Sequence, residues 1–113
     1  RFNVGMQPED AYAALVEMFA DDPRVTLPGE SATRGFGRSA LKVDGSIFAM
    51  MPRGRLVVKL PKDRVTELVE KGKGTPFDAN KGKPMKELLT LATVDTRTWK
   101  ALAREAYAFV GRR

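Results

Sequence analysis

The chain has 113 residues, 42% of them hydrophobic and 30% charged, which suits one folded domain and excludes the low-hydrophobicity, high-charge disordered class. It contains neither cysteine nor histidine, so disulfides, thiolate nucleophiles, Cys/His zinc sites and imidazole acid–base chemistry are excluded. The net charge of +6 is unevenly placed: residues 1–32 hold two basic against six acidic side chains, residues 33–86 thirteen against five, and the remainder five against three.

Residues 8–20 carry the first helical pattern. Pro8 suits a first turn, Glu9 and Asp10 favour its positive end, and Tyr12, Leu15, Val16 and Phe19 fall on one stripe before Asp21-Asp22-Pro23 stops the run. Pro28-Gly29 and Gly35-Phe36-Gly37 make residues 24–37 a loop that leads into a first strand near residue 38. Asp44-Gly45 between two apolar runs is the signature of a two-residue hairpin turn, which pairs residues 38–43 with 46–51. Pro52-Arg53-Gly54 then predicts a three-residue loop into a third strand over residues 55–60.

That loop length fixes an expected register. It puts Leu41, Val43, Phe48, Met50, Leu56, Val58 and Leu60 on one wholly apolar face, whereas a two-residue loop would set Lys59 beside Phe48 and Arg55 beside Met50. The opposite face then carries Ala40, Lys42, Ile47, Ala49, Met51, Arg55, Val57 and Lys59, a mixture of basic and apolar side chains.

Pro61 opens a second helix to about Glu70, with Val65, Leu68 and Val69 inward and Gly72 at its end. Residues 71–84 read as a basic loop, in which Lys71, Lys73, Lys81 and Lys83 alternate with glycines and prolines around Phe77. Residues 85–92 predict a further strand with Met85, Leu89 and Leu91 on one side. Asp95 is placed to cap a helix over residues 96–110, and Val94 to staple onto Trp99. The inner stripe of that helix is Trp99, Leu102, Ala103, Ala106, Tyr107 and Val110.

Catalytic constellations are not found. The Lys71-Gly72-Lys73-Gly74-Thr75 run is glycine-rich and basic, but it follows a helix and lacks the spacing of a phosphate-binding loop. Asp44, Asp63, Asp78 and Glu87 are each explained by a turn, a helix start, a loop or a solvent-facing strand position. No cluster of acids has the spacing of a calcium loop, so no metal and no cofactor is expected. No apolar run approaches the roughly 18 residues of a membrane span, and a cysteine-free chain suits the cytoplasm.

Arg34-Gly35-Phe36-Gly37, the run Val43-Asp44-Gly45-Ser46-Ile47-Phe48-Ala49 and Val58-Lys59-Leu60 resemble the N-terminal domain of the TfoX/Sxy family. Phe77, Gly82, Lys83, Pro84 and Met85 continue the likeness, which runs over about residues 34–110. The related MmcQ/YjbR-like group is similar in its short length, its meander and its closing helix. The resemblance implies an α-β(3)-α-β(2)-α order, with residues 75–79 supplying the second of the last two strands. It also implies DNA binding or transcription-associated regulation.

The expectation is therefore a single non-enzymatic domain over residues 1–113, α+β in class, with a central antiparallel sheet and helices packed on one face. Its expected partner is DNA, held weakly and without sequence preference by Lys42, Arg53, Arg55 and Lys59 with help from Lys81 and Lys83. The alternative is a homodimer or another protein docked on Ile47, Met51 and Val57 of the same face. No membrane partner is expected.

Overall fold

Three helices and six strands follow one another as α1 (Pro8–Met18), β1 (Val25–Thr26), β2 (Leu41–Val43), β3 (Ser46–Met50), β4 (Val57–Lys59), α2 (Lys62–Glu70), β5 (Gly74–Phe77), β6 (Met85–Leu91) and α3 (Thr96–Gly111). They are seen in a computed structural model that describes residues 7–27, 40–77 and 85–112. The strands form one antiparallel sheet in the order β1-β2-β3-β4-β6-β5. Side chains from all three helices enter a single core on one face of it, among them Leu15, Phe19, Val65, Leu68, Trp99, Leu102 and Ala106. The class is α+β, as the sequence predicts.

Local chemistry sets the boundaries. Asp44 and Gly45 both have positive φ, 51° and 85°, as a two-residue hairpin turn between right-twisted strands requires. At the end of α2, Gly72 takes φ 76° while its amide donates to Val69 O and the Lys73 amide to Leu68 O. Those two bonds satisfy carbonyls that the last helical turn leaves open. Asp95 caps α3 by accepting from the Arg97 amide at 3.1 Å and the Thr98 hydroxyl at 2.7 Å. The expected staple is replaced: Val94 stays exposed, and Trp99 is fixed by its indole N–H, which donates to Thr93 O at 2.9 Å.

The meander departs from its expected register in an instructive way. Leu41 pairs with Ala49 but Lys42 pairs with Ile47, so Phe48 is an extra residue in β3. At such a bulge two consecutive side chains oppose one, and the alternation of faces shifts beyond it. Phe48 and Ala49 therefore both enter the main core, while Met50 crosses to the other face, where it packs with Ala40 and Val57. Met51 packs against the main core, not outward as expected. The link to β4 compensates: β3 and β4 pair as Ala49↔Val58 and Met50↔Val57, one step from the expected register. Leu56, Val58 and Leu60 consequently still point inward.

β1 falls where a loop is expected, and β5 overlaps residues 75–79, where the resemblance, unlike the residue pattern, implies a strand. β1 is two residues long between Pro23 and Pro28, too short for periodicity to reveal. β5 occupies part of the basic 71–84 stretch and lies at the sheet's edge. That position explains Pro76, because a strand residue without an amide hydrogen is tolerated only where no neighbour needs the donor. Gly74 sits so close to β6 that a Cβ there would collide with Thr90 O.

Packing at the core centre is aromatic. Phe19 and Phe48 lie 5.1 Å apart edge to face, and Tyr107 approaches them at 5.4 and 5.6 Å. Beside this trio the Tyr107 hydroxyl donates to Asp22, which also accepts the Arg24 amide at 2.8 Å. The Arg24 guanidinium bonds Asp44 in the hairpin turn and Gly111 O at the end of α3.

Two predictions follow from this corner and its core. Phe48 is fully buried, so Phe48→Ala should lower the unfolding free energy by about 3–5 kcal/mol in denaturant titration. A loss below about 1 kcal/mol would contradict the burial of Phe48. Asp22 and Asp44 are both held below the usual carboxylate range, Asp22 chiefly by the Tyr107 hydroxyl and Asp44 chiefly by the Arg24 guanidinium. A depressed carboxyl stabilises the fold above its unfolded pKa, near 4, and that contribution is lost as pH falls through the folded value. Tyr12 is pushed up by burial and Tyr107 by its bond to Asp22. Their contribution is complete below the unfolded phenol value, near 10, and is lost as pH rises beyond it. Melting temperature should thus be flat between those limits, and Tyr107→Phe should lower the plateau and flatten its acid limb. An acid limb unchanged in that variant would show that Asp22 does not set it.

Candidate functional site

Strand alternation places the basic residues. Val58 and Leu60 are core positions, so strand alternation assigns Lys59 and Arg55 to the opposite face, while at the end of β4 Lys59 also lines a small cavity with Val43, Ser46 and Val110 on the helix side. Lys42, registered with Ile47, lies on that face too. The bulge brings Met50 in and takes Ala49 and Met51 out, so the face consists of Lys42, Ile47, Met50, Val57 and Lys59 in the meander. Pairing of β4 with β6 adds Leu88 and Thr90.

Lys42, paired with Ile47, stands on β2 and Lys59 on β4, with β3 between the two strands, whose axes are two spacings or roughly 10 Å apart. Arg55 is exposed between the Pro52–Gly54 turn and β4, four residues and roughly 13 Å from Lys59. Lys42, Arg55 and Lys59 thus stand at three separated points of the sheet. The Arg53 backbone lies in the short 3₁₀ turn Pro52–Gly54, and its side chain is outside what the structure describes. Lys81 and Lys83 lie outside the described residues.

Charge on this face is barely compensated. Lys59 Nζ is 4.0 Å from Glu87 Oε1, with both side chains about one-third exposed. An exposed pair at that distance contributes no more than about 1 kcal/mol, so it leaves the ammonium open to an anion. Lys42 and Arg55 form no ion pair among the described residues. Two acids of the helix layer, by contrast, are engaged: Glu105 accepts from Arg64 Nε and Nη2 at 2.9 and 3.0 Å, and Glu67 holds Arg64 and Lys71.

The apolar part of the face is largely satisfied within the chain. Val57 is 1% exposed, Met50 5% and Ala40 2%, with Phe77 and Leu88 packed against them. Of the expected docking trio only Ile47 remains both outward and half-buried. Sequence reasoning missed Thr90 and Leu88, because the β4–β6 pairing spans about 30 residues and has no local signature. Among the described residues no group of acids could hold a metal ion, and no helix is long and apolar enough to cross a membrane. Comparison with protein-family models, with curated proteins and with solved structures finds no match to this chain.

Replacing Lys59 with Met is expected to change the unfolding free energy by less than about 1 kcal/mol, since only one exposed contact is lost. A larger loss in denaturant titration would assign Lys59 to the structure of the sheet instead of to its surface.

Proposed function

We propose that this domain binds nucleic acid weakly and with little sequence preference through the outward face of its sheet, and that it catalyses no reaction. One observation carries the reading. Among the described residues, the positions that β2, β3 and β4 present outward are lysine or apolar, Arg55 stands just before β4 and β6 adds Thr90, and the carboxylate that approaches these cations is Glu87, at 4.0 Å from Lys59, which leaves Lys42 and Arg55 without an ion pair. Lysine, arginine and threonine are the side chains that position a protein on phosphates without reading bases. Phe77, the aromatic residue on this side, is packed against the Val57 cluster, which argues against the base-stacking platform of single-strand binders. The resemblance to the TfoX/Sxy N-terminal domain and the MmcQ/YjbR-like group implies the same class of partner.

Docking of a second protein on this face is the weaker reading. Val57 is buried by its own chain and Met51 is turned toward the main core. That leaves Ile47 as the apolar contact on this face, too little for a desolvated interface centre.

The test is anisotropy of a labelled DNA duplex across a salt series. Each neutralised phosphate contributes a slope of roughly −0.9 to log affinity against log salt, so three contacts give about −2.7. Arg55→Glu combined with Lys59→Glu should weaken binding at least tenfold and flatten the slope, while melting stays unchanged. Absence of binding at low salt, or equal binding by the double variant, would overturn the proposal.

A further inference from the structure

The helix layer separates charge as sharply as the sheet face. On α1 the exposed positions are Glu9, Asp10, Ala13 and Glu17, so its outer surface is acidic. On α3 they are Arg97, Ala101, Arg104 and Ala108, with Lys100 half-buried beside them, so its outer surface is basic. The spacing of three or four residues keeps each set on one stripe. Between the two helices runs an open groove, with Asp10 and Glu17 on one wall and Lys100 and Arg104 on the other. Among the described residues none of these four side chains makes an ion pair, so the walls face each other without closing.

A partner that covers this surface must be basic where it meets α1 and acidic where it meets α3. A duplex fails, because its phosphates would lie against the carboxylates of α1 as well as the cations of α3. A second copy of the chain meets both demands. A two-fold axis running along the groove sets α1 of one protomer over α3 of the other, and the same contact is repeated with the roles exchanged. Ala13, Ala101 and Ala108 leave the helix backbones free to approach. We infer that two copies of this chain associate through the α1–α3 surface, held by paired charge. The pairs are exposed and individually weak, so the association is weak and falls as salt screens it. None of these residues lies on the sheet face, so the inference stands apart from the nucleic-acid reading.

Sedimentation velocity of the free protein tests it. The wild type should dimerise at about 0.05 M salt and dissociate at about 0.5 M, where the screening length shrinks severalfold. Glu17→Lys and Arg104→Glu should each raise the dissociation constant at least tenfold, because both symmetric contacts become repulsive. An equimolar mixture of the two variants should recover the dimer, since one contact is then native and the other is charge-reversed on both sides. Both positions are exposed, and unchanged circular dichroism confirms folding. A wild type that stays monomeric at low salt, a dimer that survives both single variants, or a mixture that stays monomeric would overturn the inference. So would a loss of DNA affinity in Arg104→Glu with no change in sedimentation, which would give the surface to nucleic acid.

Discussion

The extra residue at Phe48 governs which side chains this domain hides and which it offers. Without it, strict alternation would turn either Phe48 or Ala49 outward; with it, both enter the core and Phe48 closes the aromatic trio with Phe19 and Tyr107. The face that remains is set by the same shift. Met50 moves behind the sheet, where it covers Ala40 and Val57, and the cations of β2 and β4 share that face with Ile47. Losing the bulge would reverse the faces for everything in β3 beyond it, turning Met50 into the main core and Ala49 and Met51 out of it. One packing decision in the core thus determines the chemistry of the surface opposite.

What the sequence shows about this fold is what local chemistry encodes. Asp44-Gly45, Gly72, Asp95 and the stripe from Trp99 to Val110 each announce themselves by residue type or spacing, and each sits where expected. The bulge does not, because an extra residue in an apolar run such as Ile47-Phe48-Ala49-Met50-Met51 leaves the pattern apolar on either reading. Parity was therefore legible for Val58 and Lys59, flanked by alternating polarity, and illegible for Met50 and Met51. The placement of β6 beside β4, with β5 at the edge, depends on long-range pairing and has no local marker either. The candidate site was legible to the same extent: Lys42 and Lys59 by alternation, Thr90 not at all.

Charge is partitioned by layer. In the helix layer Arg64 bridges α2 to α3 through Glu105 while sharing Glu67 with Lys71, and Arg24 ties the hairpin turn to the end of α3. These contacts use acids where the fold needs elements joined. Among the described residues of the outward strands, Glu87 approaches Lys59 at 4.0 Å and Lys42 and Arg55 form no ion pair, so part of the basic surplus in the middle of the chain remains there uncompensated. An ordinary solvated surface mixes signs, which keeps a protein soluble without attracting polyanions. The basic excess on this face is what a polyanion ligand requires.

The two proposed surfaces constrain each other geometrically. Pairing through α1 and α3 stacks four layers as sheet, helices, helices and sheet, each step about 10 Å, and turns the two basic faces away from one another by roughly 30 Å. A single straight duplex cannot then touch both faces at once, so pairing adds no avidity on one site. What it permits is bridging, in which one dimer holds two separate segments of nucleic acid, and this gain appears only where two such segments are close together. Salt acts on both steps in the same direction, since it screens the paired helices and restores counterions to the phosphates. Bridging should therefore fall with salt more steeply than the binding of one protomer to one duplex, because it needs both events.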